Sequence, residues 1–526
     1  MPTFKIGSLP MKQRVLVAAI TAAVLAPAAQ ASGYKLNEQS AAGAGTAYAG
    51  RAAVVEDASV VFYNPAGMVK LERAEFTVGT SYIDASGSFS PTSYTNGAGK
   101  TYTAEDIGPY SDGGDFVSAA TIPYGYFAMP INDKFAVGFG VFVPFGTNTD
   151  YEDDFIGGGF ADQTKLTSIE FQPAVAYRLN DQLSFGFGLD VTYMTGLISK
   201  QVDTVPYNEN IKYAYDPSHP MFGQNPINAG TGAPFSDDEW ASFAGFENHY
   251  EVEGDDWAFG YNLSMMWDIN SDITVGVTYR SEMEFELEGD SKFEQSVGVV
   301  GLGQLDNGTY VVAPVDATVS ANPTGSVPNQ ASKVPLTTPQ SLTVSYAHQV
   351  TNKLQLLAGV TWTQWSVFED FDIISTESEP GMIELLSDLS PSGIPNGYIG
   401  HIEENWSDTT AVAIGANYQL NDDWLLRAGY ANDQSPVSNS YRTARVPDND
   451  RQWLSTGVNY RINQDLDVDF AFSYMFFEDT QINEINRGLD GNQKVSSKTG
   501  QVDPSNIQGD YSLDAVAYSF QVNYKL

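Results

Sequence analysis

The last residues of the chain alternate without a miss. Val516, Tyr518, Phe520, Val522, Tyr524 and Leu526 fall on one face of an extended segment, and Ala517, Ser519, Gln521, Asn523 and Lys525 on the other. Successive side chains of a strand point to opposite faces, so this segment has one apolar, aromatic-rich side and one small or polar side. That suits lipid on one face and a wet or packed lumen on the other. A soluble sandwich alternates too. The weight comes from recurrence of the pattern along all 526 residues, behind an export signal.

Lys5, Lys12 and Arg14 precede the short apolar run Val15 to Leu25, and Ala29-Gln30-Ala31 offers a small-x-small cleavage pattern before Ser32. Residues 1–31 therefore read as a signal peptide, too short in its apolar run to span a bilayer as a helix. No later run approaches that length, so a mature chain that enters a membrane must do so as a closed barrel, which alone besides the helix satisfies its backbone in lipid. An aromatic content of 13%, 48 glycines and a mean hydropathy of -0.22 agree with a barrel whose alternate residues face inward. With no cysteine there is no disulfide framework and no thiolate metal site, and no cofactor is called for. The net charge of -39 excludes nucleic acid as a partner. It reads as a solvated acidic surface, or as loop carboxylates that bind divalent cations beside an anionic lipid surface.

Punctuation alternates between short and long. Tight polar connections occur at Asn132-Asp133, Asn180-Asp181, Asn270-Ser271-Asp272, Thr351-Asn352, Asn421-Asp422 and Asn463-Gln464-Asp465. Between them lie connections rich in Gly, Pro, Asn, Ser and Asp: Gly87 to Gly114, Asp203 to Asn248, Glu294 to Pro339, Ser375 to Glu404 and Glu484 to Gln508, with shorter ones at Asp153 to Gln163 and Val437 to Asn449. Short turns at one end and long loops at the other predict an all-β fold, a transmembrane antiparallel β-barrel of about 14 strands in the outer membrane of a Gram-negative bacterium. Parity then places Glu170, Gln172, Arg178, Asp190, Thr278, Arg280, Thr361, Thr363, Asn417, Arg427, Asn459, Asp467 and Asp469 inside. Trp424, Tyr430, Tyr474 and Phe476 suit the interfacial girdles.

Residues 32–72 do not alternate. They are rich in Ala and Gly, with a helix-like piece over Gln39 to Arg51. A piece this long before a barrel too wide for side chains to fill, residues 73–526, is most simply a plug; a periplasmic linker is the other reading.

The stretch Ser32-Gly33-Tyr34-Lys35-Leu36-Asn37-Glu38-Gln39-Ser40, followed by Gly43, Gly45, Ala47-Tyr48, Asp57-Ala58 and Asn64-Pro65-Ala66, resembles the N-terminal hatch of the FadL-type outer-membrane transporters of long-chain fatty acids and toluene. Pro130 to Phe135, Ala176 to Asn180, Thr363-Gln364-Trp365-Ser366, Ser435-Pro436-Val437 and Pro447 to Arg451 are further matches in the same order. The resemblance implies a fourteen-stranded barrel with a plug that carries hydrophobic molecules from an outer groove to an inner pocket. Release is then sideways, beside an inward kink in the third strand. It assigns gating or ligand contact to Ser32, Gly33, Tyr34, Asn64, Pro65 and Ala66, and to Gly140, Pro144 and Gly146 of the third strand. As a bare tripeptide Asn64-Pro65-Ala66 is a structural turn. In Phe135 to Gly146, Pro144 cannot donate to a ladder and Gly138, Gly140 and Gly146 soften it, so the proline either opens a gap or ends the strand.

The family's basic residues in the fifth strand have no match around Met194 to Leu197. Lys200 is the nearest cation there; Arg280 and Arg427 are the other candidate headgroup contacts, unless they pair with Asp190, Asp467 or Asp469. A neutral cargo, alkane or toluene-like, stays open, as does a structural or adhesive barrel acting through its acidic loops. The partners expected are a long-chain fatty acid or other hydrophobic small molecule, outer-membrane lipids and lipopolysaccharide, and the barrel assembly machinery; the expected state is a monomer. An enzyme is not expected. His219, His249 and His401 fall in or beside loops, His348 lies at a periplasmic strand end, and no G-x-S-x-G, H-E-x-x-H or P-loop occurs.

Overall fold

One side chain shapes each short connection. The Oδ1 atoms of Asn132, Asn180, Asn270 and Asn421 each accept the backbone N–H groups two and three residues on, Thr351 Oγ1 does the same, and Asn463 Oδ1 accepts the first of the two, all at 2.8–3.2 Å. An Asx or Thr turn of this kind closes a hairpin within a few residues. Six such turns join twelve strands in pairs.

The computed structural model describes residues 33–526 except 98, 108–109, 202–226, 229–247, 296–298, 305–309, 316–328, 378–396 and 496–500. The segment that reads as a signal peptide and most of the Asp203 to Asn248 connection lie outside the described residues. Fourteen antiparallel strands close into a barrel. They are β1 (Glu75–Thr95), β2 (Ala120–Pro130), β3 in two pieces (Phe135–Phe142 and Gly146–Asp150), β4 (Gln163–Arg178), β5 (Leu183–Gln201), β6 (Asn248–Asp268), β7 (Ile273–Arg280 and Met283–Gln295), β8 (Asn329–Thr338 and Ser341–Gln349), β9 (Leu354–Thr363), β10 (Thr409–Gln419), β11 (Trp424–Asp433), β12 (Arg451–Arg461), β13 (Leu466–Phe477) and β14 (Asn506–Lys525). Above β9 and β10 the hairpin Asp370–Ser375 and Tyr398–Glu403 continues the wall. The first and last strands seal the cylinder, pairing from Glu75 with Lys525 to Thr95 with Asn506.

Parity holds throughout. Tyr518, Phe520 and Tyr524 are exposed on the outer face, whereas Ala517, Ser519, Gln521 and Asn523 are buried within. Glu170, Gln172, Thr278, Asn417, Arg427, Asp467 and Asp469 are buried toward the lumen as their spacing requires. The segments that read as loops differ. Gly87 to Thr95, Asn329 to Thr338 and Tyr398 to Glu403 are strand, because ladders extend past the lipid into water, where neither face needs to be apolar and alternation fades. Within the helix-like span Gln39 to Arg51, Ala41–Ala44 alone is a helical turn, α1. Ala47 and Tyr48 take positive φ (49° and 62°) and end it at once.

Phe470 on β13 is half exposed on the outer face and sits beside Phe520. Phe470→Arg places a cation in lipid and should cost about 2–4 kcal/mol near the midplane. The urea midpoint of the heat-modifiable folded band in liposomes measures it; an unchanged midpoint contradicts the facing assigned here.

Candidate functional site

Gly33 to Lys70 lies inside the barrel, held by inward side chains of many strands. Asn64 is central. Its Nδ2 donates to Ala52 O (2.6 Å) and to Met265 O on β6 (3.0 Å), and its Oδ1 caps the short 3-10 helix Pro65–Lys70 by accepting from Ala66 N (3.1 Å). Pro65 at the first position of that helix loses no needed donor. Ser264 Oγ accepts from Ala66 N (3.0 Å) and Ser184 Oγ donates to Ala66 O (2.9 Å). The approach is so close that a Cβ at Gly186 would lie 2.3 Å from the Ala66 amide nitrogen.

Two arginines tie this segment to the wall through carboxylates. Arg427 donates to Asp469 Oδ1 on β13 (2.6 Å) and to Glu56 Oε2 of the N-terminal piece (3.2 Å), and Glu56 also receives Arg51 (3.1 Å) and Asn417 (2.8 Å). Arg280 donates to Glu170 (2.9 Å), Asp190 (3.1 Å), Gln172 (2.8 Å) and Phe62 O (3.1 Å), with its guanidinium 4.4 Å from the centre of the Phe62 ring. A buried ion needs partners of this kind to offset desolvation.

At the third strand the ladder comes apart on one side. β3 pairs with β2 only from Gly125–Val141 to Pro130–Ala136, and farther along Val117, ahead of β2, meets Thr149 of β3 at an isolated bridge. Between these points β2 stays paired with β1, and β3 turns inward at Val143, Pro144 and Phe145. The N-terminus takes the missing strand's place: Leu36 N donates to Pro144 O (2.8 Å), Gly146 N donates to Tyr34 O (2.8 Å), and Lys35 bridges Phe145. On the other side Ser168 of β4 holds the bend, its Oγ accepting from Phe145 N (2.9 Å) and donating to Phe145 O (2.7 Å).

Above this bend the lumen is apolar. Tyr34 stands among Trp365, Phe368, Trp406 and Phe145, with ring centres 4.7–5.9 Å away. Its hydroxyl donates to Thr337 O (3.1 Å), and Gly33 N donates to Asp448 Oδ2 (3.0 Å). A small apolar cavity lies against Tyr34, Leu166, Val252, Leu287, Val334 and Phe368 and reaches Thr147 at the bend. Ile198 also lines a second cavity among the outer loops, whose lining includes Lys200, Arg442, Arg445 and Arg487. Lys200 is exposed there and lies 5.9 Å from the Tyr250 ring centre, with no ion pair among the described residues. Arg445 is buried. It donates to Ser199 O (2.8 Å), pairs with no carboxylate among the described residues, and leaves its Nε without a partner.

The chain matches the family described as "Outer membrane protein transport protein (OMPP1/FadL/TodX)" over residues 22–526. It belongs to that family. A putative outer membrane protein of Neisseria meningitidis serogroup B is 32% identical over 472 residues, 89% of this chain and 91% of the relative. The long-chain fatty acid transport protein of Salmonella typhi is 28% identical over 467 residues, 89% of this chain and 92% of the relative. The solved structure of a Pseudomonas aeruginosa FadL homologue superposes with a TM-score of 0.72 at 24% identity, covering 94% of this chain and 99% of that one. Members of the OmpP1/FadL/TodX family are outer-membrane transport proteins rather than enzymes, and this barrel is an outer-membrane protein.

Within this OmpP1/FadL/TodX barrel, Gly33, Tyr34, Pro144 and Gly146 come together at the bend, and Asn64, Pro65 and Ala66 sit lower, against β5 and β6. Gly140 pairs with Tyr126 just before the seam opens. Ser32 lies outside the described residues. Arg280 and Arg427 are both engaged with carboxylates; only Lys200 of the three candidate cations stands without an ion pair among the described residues. Sequence reasoning missed Ser168, Glu56, Arg445 and the aromatic setting of Tyr34. Parity carried a signal for Ser168, an inward serine on β4, but its partner could be found only in three dimensions.

Arg280→Met would strand Glu170 and Asp190 as buried charges, at a cost of about 3–5 kcal/mol. Urea unfolding followed by gel shift should show the loss, and adding Glu170→Gln and Asp190→Asn should restore most of it. No loss in the single variant contradicts the ion-pair role.

Proposed function

We propose that this protein takes up long-chain fatty acids, binding the carboxylate at Lys200 and Arg445 and the chain in the apolar cavity below. The observation that carries this reading is that Ile198 lines both a cavity bearing Lys200 and Arg445, neither in an ion pair among the described residues, and a cavity lined mostly by apolar side chains. The Salmonella typhi relative, a long-chain fatty acid transport protein, supports it. Each buried methylene contributes about 0.8 kcal/mol, so the chain supplies most of the affinity and the headgroup sets orientation. Lys200→Met with Arg445→Met should weaken fatty acid uptake roughly tenfold to a hundredfold, the worth of a charge-assisted hydrogen bond or two, and spare a neutral alkane. Equal loss of both cargoes would overturn the headgroup assignment. A neutral hydrocarbon is the second reading; it is favoured by the neutralisation of Arg280 and Arg427 by buried carboxylates in the lower lumen.

Release is sideways in this proposal. Cargo leaving through water would expose its apolar surface at about 25 cal/mol per Å², whereas passage through the β2–β3 seam into lipid avoids that cost. The hatch, residues 32–72, gates the seam because Tyr34 and Leu36 fill the backbone positions that β2 leaves open. Asn64, Pro65 and Ala66 anchor the lower part of the hatch while its N-terminus moves, and Arg280 and Arg427 latch it to the wall. Pro144→Val with Gly146→Ala gives β3 back a ladder donor and a stiffer backbone. Uptake by the assembled double variant should fall severalfold; uptake at the parental rate would sink lateral release for this protein.

A further inference from the structure

The outer hairpin of Asp370–Ser375 and Tyr398–Glu403 carries its polar chemistry on one face. Its register sets Asp372 opposite His401 and Asp370 opposite Glu403, so alternation places all four on the same side. The other side is apolar: Ile373 is buried in the cluster around Tyr34, and Phe371 and Ile402 pack against it. Asp370, Asp372 and His401 each bring one ligand atom within 4.8 Å of the others.

The imidazole is not an ordinary surface group. Its side chain is only 6% exposed, Nδ1 lies 2.7 Å from Asp372 Oδ1, and Nε2 is buried with no hydrogen-bond partner. Asp370 makes no ion pair or side-chain hydrogen bond with any described residue. Glu403, across from Asp370, is held by Arg487 at 3.7 Å. One imidazolium therefore balances only one of the two remaining carboxylates, and a partly buried carboxylate left over is costly. A dication in the position of the Nδ1 proton would balance both.

We propose that Asp370, Asp372 and His401 form a binding site for a divalent transition-metal cation of the zinc type. Two carboxylate oxygens and one imidazole nitrogen make a mixed set that suits zinc or manganese, whereas calcium and magnesium favour oxygen alone. His401 Nδ1 and one oxygen from each aspartate are the ligands, and water completes the shell. Bonds of about 2.0–2.2 Å require Asp372 and His401 to part slightly from hydrogen-bond contact. The ion would pin the two strands to each other. The hairpin walls the outer cavity through Ile373, Ile399, His401 and Glu403, so the ion would hold the mouth of the barrel in shape. This inference does not depend on which cargo the barrel carries.

The test uses the full chain in detergent, stripped with a chelator, titrated calorimetrically with Zn²⁺ alone. The expected result is one tight site per chain. His401→Gln and Asp370→Asn, each checked for heat-modifiable folding, should each weaken it by about tenfold or more, and excess Ca²⁺ should leave it occupied. If the folded His401→Gln chain binds Zn²⁺ as tightly as the parent, the site is wrong. Should that variant fail to fold, the same comparison with Asp370→Asn decides. Displacement of Zn²⁺ by an equal concentration of Ca²⁺ would reduce the cluster to acidic surface and also overturn the proposal.

Discussion

A backbone amide in the bilayer core has no water to bond, and the whole architecture follows from that. Fourteen strands satisfy it by closing on themselves, from the β1–β14 seal round to the turn at Asn463. At one place the wall declines to close. Pro144 has no N–H to give, β3 turns in, and the partners that β2 would have supplied come from Tyr34 and Leu36. The N-terminus is thus a piece of the sheet as well as an occupant of the lumen, which couples its position to the integrity of the wall.

Charge obeys the same economy of partners. The lumen buries Arg280 and Arg427 only because Glu170, Asp190, Asp469 and Glu56 surround them. Glu56 belongs to the N-terminal segment, so displacing that segment would leave Arg427 with one carboxylate fewer. Farther out the pattern changes. Inward positions of β7 and β8 become Met283, Phe285, Leu287, Val334 and Leu336, and the lumen turns from polar to apolar within a single strand.

Much of this was legible in residue order. Period-two alternation identified the lipid face, the six Asn or Thr turns located one end, and the same parity sent both arginines inward. It also put Asp190 and Asp469 on the list of their partners. Glu56 escaped because no periodicity relates it to β11. The outer ladders escaped because alternation is enforced only where one face meets lipid, so Gly87 to Thr95 and Asn329 to Thr338 read as loop while forming strand. The helix-like span Gln39 to Arg51 forms one helical turn, Ala41–Ala44, and its small residues also allow close packing on the wall at Gly429 and Gly457.

The sequence by itself determined the class of fold, the sidedness of each membrane strand and the end at which the turns lie, because these depend on spacing between near neighbours. It left Pro144 with two readings, strand end or opening, and three cations with no order among them. Tertiary structure decided both, since each turns on contacts between distant segments. Pro144 bends the wall because residues 34–36 stand ready to pair with it across more than a hundred positions of chain. Lys200 differs from Arg280 and Arg427 because the folded chain brings carboxylates to the two arginines and leaves the lysine facing an open cavity.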